Sequence, residues 1–317
     1  MHITACDARD GSQGPEVVLC TGGGQTASVA AAESPLAVEL YSDLLVGAVP
    51  TERGVLWERM RREAEQAEER AAALAALCAV DVALWRLAAA TTGLGLRELL
   101  GGCWREQADV CLTGLSAGGP RSALLDRAAG LAAAGARALE ITLEGDAGRE
   151  HAGVLKAVRE AVGPAVRLVA RHASAYATPE LPAAAETLEK RDLYWFSQQW
   201  PREAEEAAVE LSRRTALPLA GGEGAGGLKA ALAWLRREAW DVLIVPLEQW
   251  GGPTGARVVA ELALHLGVRV SFRVAQPGAI SMAGHLTRAC PNAGLLLAPA
   301  DATPLAEGFL ADPESPA

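Results

Sequence analysis

The chain has 317 residues, 50% of them hydrophobic, and a formal net charge of −10 at pH 7. That length and apolar content are sufficient for one large domain, or for a barrel with a smaller domain beside it. The acidic balance argues against a nucleic-acid backbone or an anionic membrane surface as a partner.

The first hundred residues combine weak strand patterns with stronger helical ones. His2–Cys6 and Val17–Thr21 are strand candidates, and Gly22-Gly23-Gly24 predicts a hairpin turn after the second of them. No Lys-Ser or Lys-Thr follows these glycines, so they are not a phosphate-binding loop. Helical spacing of apolar residues predicts three helices, over Pro35–Leu45, Gly54–Arg70 and Ala71–Thr91. We predict an α+β unit over residues 1–95, whose last helix links it to the rest of the chain.

From about Ala108 onward, short apolar runs alternate with amphipathic, alanine-rich segments. Eight strands are predicted, over Asp109–Leu115, Ala138–Leu143, Arg167–Arg171, Leu193–Gln198, Leu217–Gly221, Val242–Pro246, Val268–Phe272 and Leu295–Ala298. Seven helices lie between them. This alternation is typical of parallel strands with helices outside, in an open sheet or a closed barrel, and eight repeats favour the barrel. We predict the barrel over residues 96–298; residues 299–317 are either irregular or complete the first unit.

Cysteine spacing and apolar runs bear on the cellular compartment. The six cysteines form no CxxC pair and fit no zinc site, which indicates buried free thiols in a reducing environment. No charged-then-apolar leader begins the chain, and no uninterrupted apolar run reaches the roughly 20 residues that a bilayer requires. We therefore expect a cytoplasmic protein.

Two adjacent stretches resemble the signature of one enzyme superfamily. They are Ala79-Val80-Asp81-Val82-Ala83-Leu84-Trp85, at the end of the linking helix, and the segment from Gly93 to Gly102 that follows it. With Gly221-Gly222-Glu223, Gly251-Gly252 and Pro291-Asn292-Ala293, they make most of the chain similar to the enolase superfamily, closest to mandelate racemase and muconate lactonizing enzyme. The resemblance implies an α/β fold, an enolase-type (β/α)₇β TIM barrel with an N-terminal α+β capping domain. It also implies a homo-oligomer.

The resemblance implies catalytic positions that this sequence fills with other residues. In the family, three carboxylates at the ends of the third, fourth and fifth barrel strands hold one Mg²⁺, which stabilises the enolate formed when a base removes a proton alpha to a carboxylate. The bases are a Lys-x-Lys pair on the second strand, an Asp at the sixth and a His at the seventh. Here Glu140 and Thr142 stand where the two lysines are expected.

The metal positions are altered as well. On the third strand we align Ala170 with the Asp ligand and His172 with the following Asn, and on the fourth we align Gln198 with the Glu ligand. Glu223 remains on the fifth strand. One carboxylate and one amide are a poor site for Mg²⁺, which dehydrates reluctantly and needs anionic ligands. We predict no metal site and no cofactor.

The last two strands also lack the expected acid and base. On the sixth, either Leu247 or, after a shift of one residue, Glu248 takes the place of the Asp. On the seventh, Arg273 takes the place of the His. A guanidinium cannot shed its proton, so it needs an anionic partner. We predict an ion pair of Arg273 with Glu140 or Glu223, or a bound anion in their place.

The remaining polar residues at the predicted strand ends are functional candidates. The weak candidates for catalysis are Glu223, His172 and Glu140, and His172 is included because an imidazole titrates near neutral pH. The alternative for His172 is a hydrogen-bonded residue that fills the space left by the metal. The candidates for substrate binding are Thr142, Gln198, Trp200 and Arg273. Trp200 could line a ligand pocket, or simply pack within its loop.

Three functions are compatible with this sequence. The first is a divergent family member that has lost Mg²⁺-dependent proton abstraction and acts as a small-molecule-binding or metal-free barrel protein. The second is an isomerase or lyase of racemase, cycloisomerase or dehydratase type, acting on a carboxylate substrate. The third is a structural role in an oligomer. In the first two, the expected partner is a small carboxylate or another anionic ligand, and no partner is a nucleic acid or a membrane.

Overall fold

The computed structural model describes residues 1–12, 14–145, 148–177, 179–201, 204–224 and 227–301. An antiparallel sheet of order β1-β2-β3 begins the chain, and a closed parallel barrel follows it. The first unit comprises β1 (Ile3–Gly11), β2 (Gly14–Thr21), β3 (Thr26–Ala30), α1 (Ser34–Leu45), α2 (Arg53–Gln66), α3 (Arg70–Thr92) and the short α4 (Leu96–Leu99).

The barrel strands follow one another around the ring in chain order, and β11 closes it by pairing with β4. They are β4 (Val110–Ser116), β5 (Ala138–Leu143), β6 (Arg167–His172), β7 (Leu193–Ser197), β8 (Leu219–Gly221), β9 (Val242–Pro246), β10 (Arg269–Arg273) and β11 (Ala293–Pro299). The helices are α5 (Arg121–Ala133), α6 (Gly148–Val162), α7 (Leu181–Glu189), α8 (Glu205–Ser212), α9 (Leu228–Arg236), α10 (Pro253–His265) and α11 (Ile280–Ala289). The predicted capped barrel is confirmed.

The N-terminal sheet differs from its prediction in the length of its first strand. β1 continues to Gly11 and pairs with β2 along its whole length, down to Gly11 opposite Gly14. The residues that extend β1 are partly or fully exposed and show no apolar alternation, so the pairing with β2 is not visible in their sequence. The predicted hairpin turn is present between β2 and β3, where Gly24 adopts a φ of +85°. The predicted C-terminal tail beyond Asp301 lies outside the described residues.

Helix α3 is the central element of the fold. By length and composition alone it could cross a membrane, but 72% of its apolar window is buried in this structure. It packs on α1, α2 and the N-terminal sheet, and on the turn of 3-10 helix over Leu247–Trp250 that follows β9. Its apolar character is therefore explained by burial on nearly all sides.

Asp81 joins this helix to the barrel by capping another helix. Its carboxylate accepts hydrogen bonds from the backbone N–H of Thr254 at 2.7 Å and from the Thr254 hydroxyl at 2.8 Å. Trp85 Nε1, one turn along α3, donates to the same hydroxyl at 3.0 Å. Thr254 lies in the first turn of α10, whose N–H groups have no partner within the helix. Gly252, at a φ of +99°, allows this approach, because a Cβ there would lie 2.7 Å from the Asp81 side chain.

Burial raises the pKa of Asp81 to about 7, although the hydrogen bonds from Thr254 oppose the increase. An acid whose pKa is higher in the folded chain keeps a proton that the unfolded chain has lost. The stabilisation is therefore complete below about pH 4 and is lost as the pH rises toward 7. We expect wild type to lose about 2–4 kcal/mol of unfolding free energy over this interval relative to Asp81→Asn, measured by urea titration at several pH values. Parallel pH profiles for the two proteins would contradict this account.

Candidate functional site

The inner face of the barrel is defined by one buried cluster with residues from seven of the eight strands. Its members are Cys111, Ala138, Val169, Trp195, Ala220, Val242, Ile244, Leu295 and Leu297. Because strand side chains alternate between faces, the residues two and four positions along each strand also point inward. Polar side chains therefore enter the barrel from β5 as Glu140 and Thr142, as the sequence alignment predicts.

On β6 the inward residue is Arg171, and the alignment that placed Ala170 and His172 on the inner face is wrong by one position. Val169 lies in the inner cluster, whereas Ala170 packs in the outer layer with the helices. The consecutive residues Leu168, Val169 and Ala170 are all apolar and fully buried, so the sequence shows no alternation that could fix the phase.

The same shift occurs on β7. Trp195 faces inward, so Ser197 does too, and Gln198 lies outside the inner face. Gln198 is buried and its side-chain oxygen accepts the backbone N–H of Tyr176 at 3.1 Å. The prediction that Gln198 replaces a metal ligand is therefore wrong in its orientation, and Ser197 occupies that strand end.

On β9 neither predicted residue faces inward at the strand end. Pro246 is in phase with the inward residues Val242 and Ile244. Leu247 packs in the core between the barrel and the N-terminal unit. Glu248 accepts the backbone N–H groups of Ala275 and Gln276 at 2.8 and 2.9 Å, which ties together the loops that follow β9 and β10.

Four charged side chains form one ion-pair network inside the barrel mouth. Arg273 donates from both terminal nitrogens to the two carboxylate oxygens of Glu140, with Nη1 at 3.1 Å from Oε1. Its Nε lies 2.8 Å from Glu223 Oε1, and Arg171 Nε donates to Glu223 Oε2 at 3.1 Å. Two guanidinium groups balance two carboxylates, so the network is formally neutral. The predicted ion pair of Arg273 is confirmed.

Burial and charge act in opposite directions on Arg273. Burial alone would lower its pKa, but the carboxylates of Glu140 and Glu223 outweigh that effect and raise the pKa above its usual value. The side chains of Glu140, Glu223 and Arg273 are 2%, 14% and 16% exposed. The buried ion pair of Arg273 and Glu140 is held firmly, because either charge without its partner would be buried with little solvation.

His172 belongs to a separate polar cluster behind the strands. Its Nε2 lies 2.8 Å from the carbonyl oxygen of Gly145, which can only accept, and its Nδ1 accepts the backbone N–H of Ser174 at 3.2 Å. Both ring nitrogens are therefore engaged, and the ring packs 4.3 Å from the ring of Tyr176. His151, which the sequence does not single out, contacts the Tyr176 hydroxyl at 2.5 Å and the carbonyl of Glu144 at 2.9 Å. The cluster joins the loops that follow β5 and β6.

The two tryptophans near the mouth differ in their surroundings. Trp200 Nε1 donates to the carbonyl of Ala220 at 2.9 Å, and its ring packs on the core. Trp250 lines a cleft of about 390 Å³ between the start of α3 and the loops after β8 and β9. Gly222 and Gly224, on either side of Glu223, line the same cleft. The cleft therefore lies beside the loop that carries Glu223.

The donor set at the strand ends does not fit Mg²⁺. The inward residues at the ends of β6 and β7 and just beyond β8 are Arg171, Ser197 and Glu223, which supply one cation, one hydroxyl and one carboxylate. Both oxygens of that carboxylate already contact arginines. Among residues 1–301, where described, no group of three or more His, Cys, Asp or Glu side chains could hold a metal ion. Octahedral coordination by anionic oxygens cannot be assembled from these residues.

Removing one member of the buried pair should cost stability. We expect Arg273→Met to lower the unfolding free energy by about 2–5 kcal/mol, because Glu140 stays buried without its partner. The double variant Glu140→Gln/Arg273→Met should recover part of that loss, since both charges are gone. Arg269→Met is the control, an exposed arginine on the same strand, with an expected cost under about 1 kcal/mol. Equal losses for the two arginine variants, measured by chemical denaturation, would reject the network.

Divalent metal should not bind at the strand ends. We expect elemental analysis of protein purified in millimolar Mg²⁺ to find no tightly bound ion, and the melting temperature to be unchanged by Mg²⁺. The comparison is Arg171→Asp/Ser197→Glu, which places two further carboxylates beside Glu223 and should gain Mg²⁺-dependent stabilisation. About one tight ion per wild-type chain, lost on Glu223→Gln, is the opposite result.

The fold has many solved counterparts. The 3,6-anhydro-D-galactonate cycloisomerase from Zobellia galactanivorans superposes with a TM-score of 0.80 at 23% identity, over 94% of this chain and 87% of that one. A racemase from Streptomyces coelicolor with bound magnesium gives a TM-score of 0.81 at 20% identity, over 93% and 88% of the two chains. At these identities the likeness concerns the fold.

Sequence comparisons identify the family. The D-galactarolactone cycloisomerase of Agrobacterium fabrum is 29% identical over 236 residues, 74% of this chain and 62% of that protein. The D-galactonate dehydratase family member RspA of Halomonas elongata is 29% identical over 258 residues, 70% and 64% of the two chains. This chain thus spans just over three fifths of these relatives. Residues 10–101 match the mandelate racemase/muconate lactonizing enzyme N-terminal domain, and residues 123–316 match the enolase C-terminal domain-like family. The chain therefore belongs to the mandelate racemase/muconate lactonizing enzyme branch of the enolase superfamily.

Proposed function

We propose that this protein binds a small hydroxy acid or sugar acid at the barrel mouth and does not use Mg²⁺ to abstract the alpha proton. The ligand class is supported by the relatives, which are named for galactarolactone, galactonate and gluconate. The loss of the metal route is supported by one observation: Arg171 and Arg273 hold both oxygens of Glu223. A carboxylate paired in this way cannot also serve as the anionic ligand of a divalent ion.

The candidate bases are engaged in other interactions. Glu140 makes two hydrogen bonds to Arg273, and Glu223 contacts two arginines. Every oxygen of the two carboxylates therefore already faces a guanidinium nitrogen. His172 faces the outer layer and donates to Gly145. Among the described residues, these three candidates therefore have no free basic atom on the inner face.

Kinship favours a second candidate function, an isomerase or lyase acting on a carboxylate substrate. The curated relatives include a cycloisomerase and sugar-acid dehydratases. A related reaction in this barrel would need a base freed by ligand binding, for example by transfer of Arg171 from Glu223 to the ligand. A carboxylate released in this way could accept a proton at Oε2. A cytoplasmic location and a homo-oligomeric state remain predictions under either function.

Nuclear magnetic resonance in D₂O separates the two functions. The panel is D-gluconate, D-galactonate, D-galactarolactone and cis-3-hydroxy-L-proline, each incubated with the protein and with Glu223→Gln. We expect saturation transfer to at least one ligand, with neither deuterium incorporation at the alpha carbon nor a new product. Incorporation or turnover that Glu223→Gln abolishes would establish the isomerase or lyase instead. Absence of binding by the whole panel would reject the proposed ligand class.

A further inference from the structure

Three polar side chains form a row across adjacent strands on the inner face. In the strand register Thr142 of β5 lies beside Arg171 of β6, and Arg171 lies beside Ser197 of β7. All three point into the barrel, because each is in phase with a residue of the inner cluster. The row therefore places Arg171 between Thr142 and Ser197 in the strand register, with neighbouring strands about 5 Å apart.

Arg171 has nitrogen donors at this position that are available to a ligand. Its Nε is committed to Glu223 at 3.1 Å. Within the part of the chain that the structure describes, its two terminal nitrogens have no hydrogen-bond partner, and the side chain is 25% exposed. By contrast, every nitrogen of Arg273 lies within reach of a carboxylate. A guanidinium with two free parallel donors matches the two oxygens of a carboxylate.

Ser197 is the second, independent indication of a ligand. The residue is completely buried, and its Oγ has no hydrogen-bond partner among the described residues. Buried hydroxyl groups in native proteins are nearly always paired, and each exception calls for an explanation. A ligand oxygen next to Arg171 would supply the missing acceptor.

We propose that Thr142, Arg171 and Ser197 form a subsite for the carboxylate group of the ligand. This proposal rests on the proposed function and deepens it, since it assigns the residues that recognise the acid. Arg171 binds the two carboxylate oxygens with its terminal nitrogens, Ser197 donates a hydrogen bond from its hydroxyl to one of them, and Thr142 is the polar side chain in register on the other side of Arg171. The guanidinium of Arg171 thus binds the carboxylate at strand ends whose side chains do not fit a metal ion.

The surrounding charges favour a monoanion. The network of Glu140, Glu223, Arg171 and Arg273 is neutral before any ligand arrives, and Arg171 must share its charge with Glu223. A single carboxylate adds one negative charge beside the one guanidinium with free donors. A phosphate dianion would add two such charges close to Glu223, where repulsion is strong in a partly buried site. The subsite should therefore prefer carboxylates over inorganic phosphate.

The test is a titration by isothermal calorimetry with D-gluconate, its neutral counterpart D-glucitol, acetate and inorganic phosphate. We expect wild type to bind D-gluconate at least about tenfold more tightly than D-glucitol, because only the acid engages the guanidinium. Arg171→Lys keeps the positive charge but loses the paired donors, so its affinity for D-gluconate should fall at least about tenfold. Binding of phosphate in preference to both carboxylates would overturn the proposal.

Ser197→Ala distinguishes a ligand contact from a structural role. We expect its affinity for D-gluconate to fall about fivefold or more, while its melting temperature without ligand stays the same or rises, because an unpaired buried hydroxyl is removed. The matched control is Ser271→Ala, an equally buried serine whose Oγ accepts the backbone N–H of Leu295. That variant should lose stability and bind D-gluconate as wild type does.

The outcomes separate this inference from the proposed function. If wild type binds D-gluconate and both Arg171→Lys and Ser197→Ala bind it equally well, the subsite is wrong and the proposed function stands. If acetate binds to wild type but not to Arg171→Lys, and D-gluconate does not bind, the subsite stands and the sugar-acid assignment fails. If neither acid binds, the subsite is rejected.

Discussion

Charge balance inside the barrel mouth is the constraint on which the site depends. A closed barrel surrounds its inner residues with low-dielectric material, where an unpaired charge is costly. Here the charges of two carboxylates and two guanidinium groups balance one another, with Glu223 bridging the two arginines. The neutral network holds Glu140 and Arg273 in fixed positions across the barrel. It also leaves Arg171, at the edge of the network, as the cation with donors available to a ligand.

The fold was largely predictable, because regular alternation and a few local constraints determine it. Asp81 packs against Gly252 and Thr254 where α3 meets α10. This contact explains why the sequence around Asp81 and the Gly251-Gly252 pair has a recognisable pattern. Glu223 could be placed for a similar reason. Gly222 before it has a φ of +120°, and a Cβ there would lie 2.4 Å from the carbonyl oxygen of Ile244, so glycine is required and marks the strand end.

The inner face of individual strands was harder to predict. Along β6 and β7 the residues facing the helices and those facing the barrel are both apolar, so hydrophobicity carries no period. An error of one residue then exchanges the two faces. For this reason the prediction placed Ala170 and Gln198 at positions that Arg171 and Ser197 occupy in the structure. Ion pairs between strands show which residues face inward, because only inward residues of different strands can meet as Arg171 and Glu223 do. Contacts of this kind are not visible in one sequence.

Kinship and site chemistry give different information about this protein. The relatives share a scaffold on which strand-end residues determine the reaction, and a scaffold can keep its shape while those residues change. The chain retains the capped barrel and the docking of α3. At the mouth, Arg171 supplies a cation at the end of β6 and Ser197 a neutral hydroxyl at the end of β7.

The hydrogen bonds between Asp81 and the first turn of α10 have a consequence for how firmly the N-terminal unit is held on the barrel. Separation of the N-terminal unit from the barrel would expose the N–H of Thr254 and strip the helix end of its cap, together with the contact from Trp85. Trp57 adds a further tie, since its Nε1 donates to the carbonyl of Gly251 at 2.8 Å. Separation of the two units would therefore break all of these hydrogen bonds at once.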